Sequence, residues 1–254
     1  MLPMVELCLI VPHPDDEVFG AGGILRRLAD NGERTAVLTL TRGGAGRTLG
    51  LVPQDELPAK REAGGGVGAG GGGLGVGAQD RFIFDYPDFV TDPHRGMELR
   101  PGLQAIDRQE LVGTVVRTLD QLQPRIVLTF PPNGSNGHPD HVTTHNVVMQ
   151  AIQEARVPPE KLYYYASELP YTGAVPEGFM PVQELARLHL PPTHYVALGY
   201  ELEAKMRAMG HHETQALSVL NFMKRFPRRL RIESFHRAIP SGSDPHNVVT
   251  VFRL

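Results

Sequence analysis

The chain has 254 residues, a formal net charge of −3 with acids and bases interspersed, and one cysteine, Cys8. That length suits one α/β domain over 1–254, large enough to bury a core without staples. A disulfide framework is excluded, and there is no basic footprint for nucleic acid or an anionic membrane. No apolar run approaches a membrane span and no cleavable leader is visible, so a reducing cytoplasm is the expected compartment.

Val5–Val11 is a short β-rich apolar run and is expected to be a buried central strand. Pro12 and Pro14 end it, because proline cannot donate to a sheet ladder. His13, Asp15, Asp16 and Glu17 therefore lie just past a strand end, the edge at which open α/β sheets bind ligands. Gly20-Ala21-Gly22-Gly23 leads into a helix marked by apolar residues at 24, 25 and 28, which Asn31-Gly32 closes. Thr35–Thr41 is a second strand, giving a right-handed βαβ unit. The loop Arg42-Gly43-Gly44-Ala45-Gly46 follows. It lacks the order and spacing of a nucleotide cradle, and fits a mobile loop beside the crevice.

Pro58–Ala63 starts like a helix, but residues 64–73 are almost pure glycine. Each glycine costs ~1 kcal/mol against alanine in a helix, so composition alone indicates a flexible linker. The helical start, and the need for a helix between the second and third strands, favour a helix. Arg81–Phe84 is the third strand, ending at Asp85-Tyr86-Pro87-Asp88. A helix over Leu103–Leu122 stops before Pro124. Ile126–Phe130 is the fourth strand, broken by Pro131–Gly137 and followed by His138-Pro139-Asp140-His141. A helix over Val142–Ala155 starts beside this second cluster. Lys161–Ala166 is a fifth strand, whose tyrosines 163–165 suit one buried face. Residues 167–192 are Pro-rich and irregular. Leu198–His211 is a polar helix, and Asn247–Leu254 a closing strand.

Two parallel strands side by side would bring both clusters to one crevice. Two histidines and a carboxylate then suit a catalytic zinc with a position left open for water. Taken alone, His13 and Asp16 are equally well explained as a histidine and a capping carboxylate at a helix start. The second cluster after another strand turns the balance to metal.

The Pro12–Glu17 segment paired with His138–His141 resembles the LmbE-like (PIG-L) zinc-dependent N-acetylglucosaminyl deacetylases. Asp85–Asp88, Lys205, Ala208, His212–Gln215 and Glu233–Phe235 support the resemblance, which covers most of the chain. It implies a Rossmann-like α/β fold with a mainly parallel sheet and helices on both faces. It also implies one Zn2+ per chain, other divalent metals being open, on His13, Asp16 and His141. Asp15 matches the general base and His138 the group that stabilises the oxyanion and leaving group, as a histidinium could. Asp140 is expected to orient a histidine, and Glu17 to satisfy loop amides. Some relatives carry a tyrosine two residues before the first histidine of the second cluster; here it is Asn136, whose amide can donate but is no acid. That departure weakens the fit to mycothiol-pathway enzymes and leaves a bacillithiol-type GlcNAc-malate or related amino sugar open. Arg42, Arg61, Asp88 and Asn136 are candidate substrate contacts, with solvated surface charge the bland alternative for each arginine.

The activity implied is hydrolysis of an N-acetyl group from a GlcNAc conjugate. A zinc amidohydrolase acting on another acyl amide is the second reading. A non-catalytic sugar- or metal-binding protein is the third, and the spare carboxylate of Asp15 argues against it. The expected partner is a small N-acetylated sugar, with homo-oligomerisation open.

Overall fold

A computed structural model describes residues 4–69, 75–90 and 100–239. Its strands are β1 Val5–Val11, β2 Arg34–Thr41, β3 Asp80–Tyr86, β4 Phe89–Val90, β5 Arg100–Pro101, β6 Ile126–Thr129, β7 Lys161–Tyr165, β8 His194–Ala197 and β9 Ile232–Ile239. The helices are α1 Asp16–Asp30, α2 Leu57–Ala69, α3 Arg108–Leu122, α4 Gly134–Gly137, α5 Pro139–Glu154, α6 Val182–Arg187, α7 Glu201–Gly210, α8 Ala216–Arg225 and α9 Pro227–Arg231. The seven-stranded sheet runs β3-β2-β1-β6-β7-β9-β8, and β4 pairs with β5 separately.

Strands β3, β2, β1, β6 and β7 are parallel, and β9 runs antiparallel to both β7 and β8. The expected mainly parallel α/β sheet is the one observed. Every residue of β1 is buried, as a central strand covered on both faces requires. One core packs Leu7, Leu9 and Val11 against Ile24, Leu25 and Leu28 of α1. The other packs Cys8 and Ile10 against Leu111, Val115 and Leu119 of α3 and Val148 of α5. Tyr163 and Tyr165 join the first core and Tyr164 the second, so this strand buries both faces rather than one. Chain order reverses direction between β1 and β6, where Leu9 pairs with Leu128. That is the topological switch point.

Several elements start earlier or later than their sequence patterns indicate. Helix α1 begins at Asp16 and runs through its glycines. There the neighbours need the room: a Cβ on Gly20 would meet Tyr165 Cε1 at 2.3 Å, and one on Gly23 would meet Leu198 Cδ2 at 2.3 Å. The expected Leu103–Leu122 helix is a 3-10 turn, Gly102–Ala105, followed by α3. Asp107 makes the break by capping α3, accepting from the amides of Gln109 (2.9 Å) and Glu110 (3.1 Å). Strands β8 and β9 and helices α8 and α9 are not among the elements expected from the sequence, although α8 is amphipathic. The closing strand expected at 247–254 lies outside the described residues. No described helix is long and apolar enough to cross a membrane.

Helix α2 is helical through Ala69, so the glycine run does not begin as a linker; residues 70–73 lie outside the description. Contact explains one of its glycines. A Cβ on Gly64 would sit 2.6 Å from the His211 carbonyl oxygen at the end of α7. Gly64→Ala gains ~1 kcal/mol of helix propensity but forces apart a backbone contact, which costs about 1–3 kcal/mol. A fall in the urea midpoint is the expected result; a rise would mean that α2 shifts freely.

Candidate metal and catalytic site

Both clusters leave the sheet at the C-terminal ends of β1 and β6, which pair directly. Their side chains line a cleft of about 420 Å³ that includes His13, Asp15, Asp16, His138 and His141. The His13 ring lies 4.9 Å from that of His138 and 5.3 Å from that of His141, centroid to centroid.

Local hydrogen bonding decides which ring nitrogens are free. The second cluster is the first turn of α5, not a loop ahead of it, because His138 caps the helix: its Nδ1 accepts from the Asp140 amide (3.1 Å). An accepting Nδ1 carries no proton, so the neutral ring keeps its proton on Nε2. Burial, reinforced by His141 and His13, pushes the His138 pKa well below the usual range. The expected histidinium at 138 is therefore replaced by a neutral donor. His141 Nδ1 donates to the Gly134 carbonyl (3.0 Å), which leaves Nε2 3.7 Å from Asp16 Oδ1. His13 Nε2 donates to Asp140 Oδ2 (3.1 Å), which leaves Nδ1 3.4 Å from Asp16 Oδ2.

Asp140 is wholly buried. It also accepts from the amides of Phe89 (2.8 Å) and Leu103 (2.8 Å). Gly102 makes room for it: at φ +60°, a Cβ there would lie 2.3 Å from Asp140 Oδ1. Burial opposes a charge on His13, yet Asp140 and Asp16 outweigh it and hold its pKa well above the ordinary value.

Asp15 sits beside these groups on a backbone of φ 125°, a conformation that L residues seldom adopt. Its amide donates to Glu17 Oε2 (2.9 Å), as expected of Glu17, and its Oδ1 lies 3.2 Å from Arg61 Nη2. Arg61 is buried and donates to the carbonyls of Pro14 (2.6 Å) and Gly43 (2.9 Å). Its fork ties the loop after β1 to the loop after β2, while its buried Nε has no hydrogen-bond partner and the residue lines the cleft. Glu17 Oε1 lies 3.3 Å from His212 Nε2, which connects α7 to the same loop. Burial raises the Asp15 carboxyl from 3.8 to about 6, against the opposing pull of Arg61.

Two sets of donor atoms lie within 4.8 Å of one another: His13 with His138 and His141, and His13 with Asp88 and Asp140. Asp140 is already spent on two amides and the His13 ring, and His138 has its Nδ1 occupied by the Asp140 amide, so His13 and His141, bordered by Asp16, are the better cradle. Asp88 lines the cleft, with Oδ2 taken by the Ala45 amide (2.8 Å) and a buried Oδ1 that has no hydrogen-bond partner. Asn136 also lines it, and its Oδ1 accepts from the His138 amide (3.1 Å). Arg42 does not. It lines an adjacent cavity of about 560 Å³ that shares Asp88, and it pairs with Glu62 at 2.7 Å.

Phe89 and Phe179 were not legible as site residues, yet their rings pack 5.8 and 4.8 Å from that of His138. Phe179 comes from the irregular Pro-rich stretch, where no sequence signal marks it. Tyr165 also went unmarked; its hydroxyl donates to the Asp16 carbonyl (3.3 Å).

Metal-type donors and the Asp15 carboxylate gather at the switch point of a mainly parallel sheet. Residues 8–152 match PIG-L, the GlcNAc-PI de-N-acetylase family. A 1D-myo-inositol 2-acetamido-2-deoxy-alpha-D-glucopyranoside deacetylase from Rhodococcus jostii (strain RHA1) is 29% identical over 238 residues, 83% of this chain and 81% of that one. N,N'-diacetylchitobiose deacetylase from Pyrococcus horikoshii shares the fold at a TM-score of 0.64 and 20% identity, over 91% and 83% of the two chains. So does the 4-carboxy-2-hydroxymuconate hydratase GalB from Pseudomonas putida KT2440, at 0.61 and 15%, over 94% and 99%. Those two likenesses establish architecture only. The chain belongs to the PIG-L family and is an amide hydrolase acting on N-acetyl groups.

Proposed function

We propose that this protein, acting in the cytoplasm, removes the N-acetyl group from a GlcNAc conjugate with one zinc ion per chain. His13 through Nδ1, Asp16, and His141 through Nε2 would hold the ion. The observation that carries this reading is that each histidine has its other nitrogen fixed, by Asp140 and by the Gly134 carbonyl. Such outer partners set the tautomer and aim of metal-binding histidines. When bound, the zinc lowers the pKa of a water to roughly 7 and polarises the acyl oxygen.

Asp15 takes the proton from the attacking water on its carboxylate and delivers it to the departing nitrogen, which leaves as the amine. Arg61 is a positioning residue that keeps this carboxylate aimed. His138 donates from Nε2 to the oxygen on which negative charge develops. Phe89 and Phe179 shield that donor from water. The free Oδ1 of Asp88 and the side chain of Asn136 are suited to sugar hydroxyls. The adjoining cavity, with Arg42, Asp85 and Arg100, suits a polar aglycone such as inositol or malate.

The test is acetate release from GlcNAc-inositol, GlcNAc-malate and N,N'-diacetylchitobiose by the zinc-loaded protein. Turnover of at least one with loss on chelation is expected. No acetate from any of them, at full zinc occupancy, would overturn the reading.

Asp140→Asn tests the metal cradle separately. An amide cannot both keep the two backbone amides satisfied and accept strongly from His13. Zinc affinity should fall about 10–100-fold, read by competition with a chromogenic chelator. Unchanged affinity would mean that the His13 ring is not oriented through Asp140.

A further inference from the structure

A separate cavity, of about 460 Å³, opens beside α8 and α9, and none of the residues assigned to chemistry lines it. Its volume is within the roughly 300–1,000 Å³ of small-molecule sites. The walls are aromatic, from Tyr165, Tyr171, Tyr195 and Phe226. Arg225, Arg228 and Arg229 line it too, against one carboxylate, Glu168, which lies 4.0 Å from Arg228.

Arg229 is the unusual member. Its guanidinium carbon lies 5.7 Å from the Phe222 ring centroid and 5.5 Å from that of Phe226. Among the described residues, no hydrogen bond or ion pair reaches that guanidinium. The nearby carboxylate of Glu233 is taken by Lys205 and by the amides of Gly23 and Ile24. Burial disfavours the Arg229 charge, with only partial relief from Tyr165 and Glu233. Arg229 is only partly buried, so its guanidinium nitrogens are open to an acceptor from outside the protein. Here the open side of the group is the cavity.

We propose that this cavity is a binding site for an organic anion, with Arg229 holding the acidic group and the aromatic walls holding an aryl or alkyl body. A guanidinium fork matches carboxylate and phosphate oxygens in pairs, and does so more strongly where water is excluded. Aromatic faces explain why a bare inorganic ion would leave most of the site unused. The same chemistry fits the distal part of a substrate or a separate small molecule. Either would touch Tyr165, and through its hydroxyl the Asp16 carbonyl at 3.3 Å.

Calorimetric titration of the zinc-loaded protein with 2-naphthalenesulfonate tests this, because a sulfonate is a poor zinc ligand. One saturable site per chain is expected, with much weaker binding of 2-naphthol and of sulfate alone. Arg229→Gln should weaken binding by about tenfold or more, as loss of a charge-assisted pair does. Should that variant fail to fold, Tyr195→Leu must weaken it by removing a wall. Absence of saturable binding, equal affinity for sulfate, or unchanged affinity in the folded variants would each overturn the proposal. With activity established, a probe that raises KM alone assigns the anion to the substrate. A probe that changes kcat, or binds beside substrate, assigns it to a separate ligand.

Discussion

Asp15→Asn should lower kcat/KM on a verified N-acetyl substrate by about 10²–10⁴-fold, the contribution of a positioned general base. Zinc content should stay at wild-type level. The carboxylate is held by Arg61 at 3.2 Å, and the cradle nitrogens of His13 and His141 face Asp16 instead. Asparagine keeps the size, and its amide can still meet Arg61 through oxygen, but it takes no proton. His141→Ala should differ in kind, losing zinc before chemistry can be measured, whereas His138→Ala should keep zinc and lose rate. Wild-type turnover by Asp15→Asn at full occupancy would refute the assigned base. Loss of zinc in the same variant would make Asp15 a ligand.

The same residue sets a pH dependence. Its pKa in the folded protein is raised from 3.8 to about 6, chiefly by burial. The working form is the ionised one, so kcat/KM should hold above this value and fall as pH drops through it. A zinc ion beside Asp15 favours the carboxylate further, so the limb should lie at or below about 6. A limb that survived unchanged in an active Asp15→Asn variant would belong to another group.

Lys205→Met should be the most damaging single change to stability, at about 3–5 kcal/mol, because it breaks a buried pair from one side. Lys205 Nζ lies 2.8 Å from Glu233 Oε1, and both side chains are almost completely excluded from solvent. Glu233 accepts from the amides of Gly23 (2.7 Å) and Ile24 (2.8 Å) in α1. The pair thus joins α7, β9 and the helix that begins at Asp16. Methionine fills the space but leaves the carboxylate charged and half compensated. Lys205→Met with Glu233→Gln should recover much of the loss, since the amide oxygen still meets α1 without a buried charge. Urea unfolding of the single and double variants measures both. A single variant as stable as the wild type would mean that Glu233 reaches water.

The chemistry of the site was legible because its signals are local. Proline, histidine and aspartate within five residues of one strand end, and again within twelve residues of another, carry their meaning in sequence order. Strand and helix periods around them fixed the α/β class, since period and length are also local properties. Local order could not reveal which nitrogen of each histidine is free. That depends on Gly134, seven residues from His141, and on Asp140, which is 127 residues from His13. Nor could it show that Arg61 is engaged by Asp15 and two carbonyls, or that Arg42 faces a neighbouring cavity. Helix α2 shows the same limit from the opposite side. Its glycines oppose a helix by intrinsic propensity, yet at Gly64 the His211 carbonyl leaves no room for a Cβ. Propensity and motif are decided by neighbours in the chain. Charge state, ligand aim and the need for a missing side chain are decided by neighbours in space.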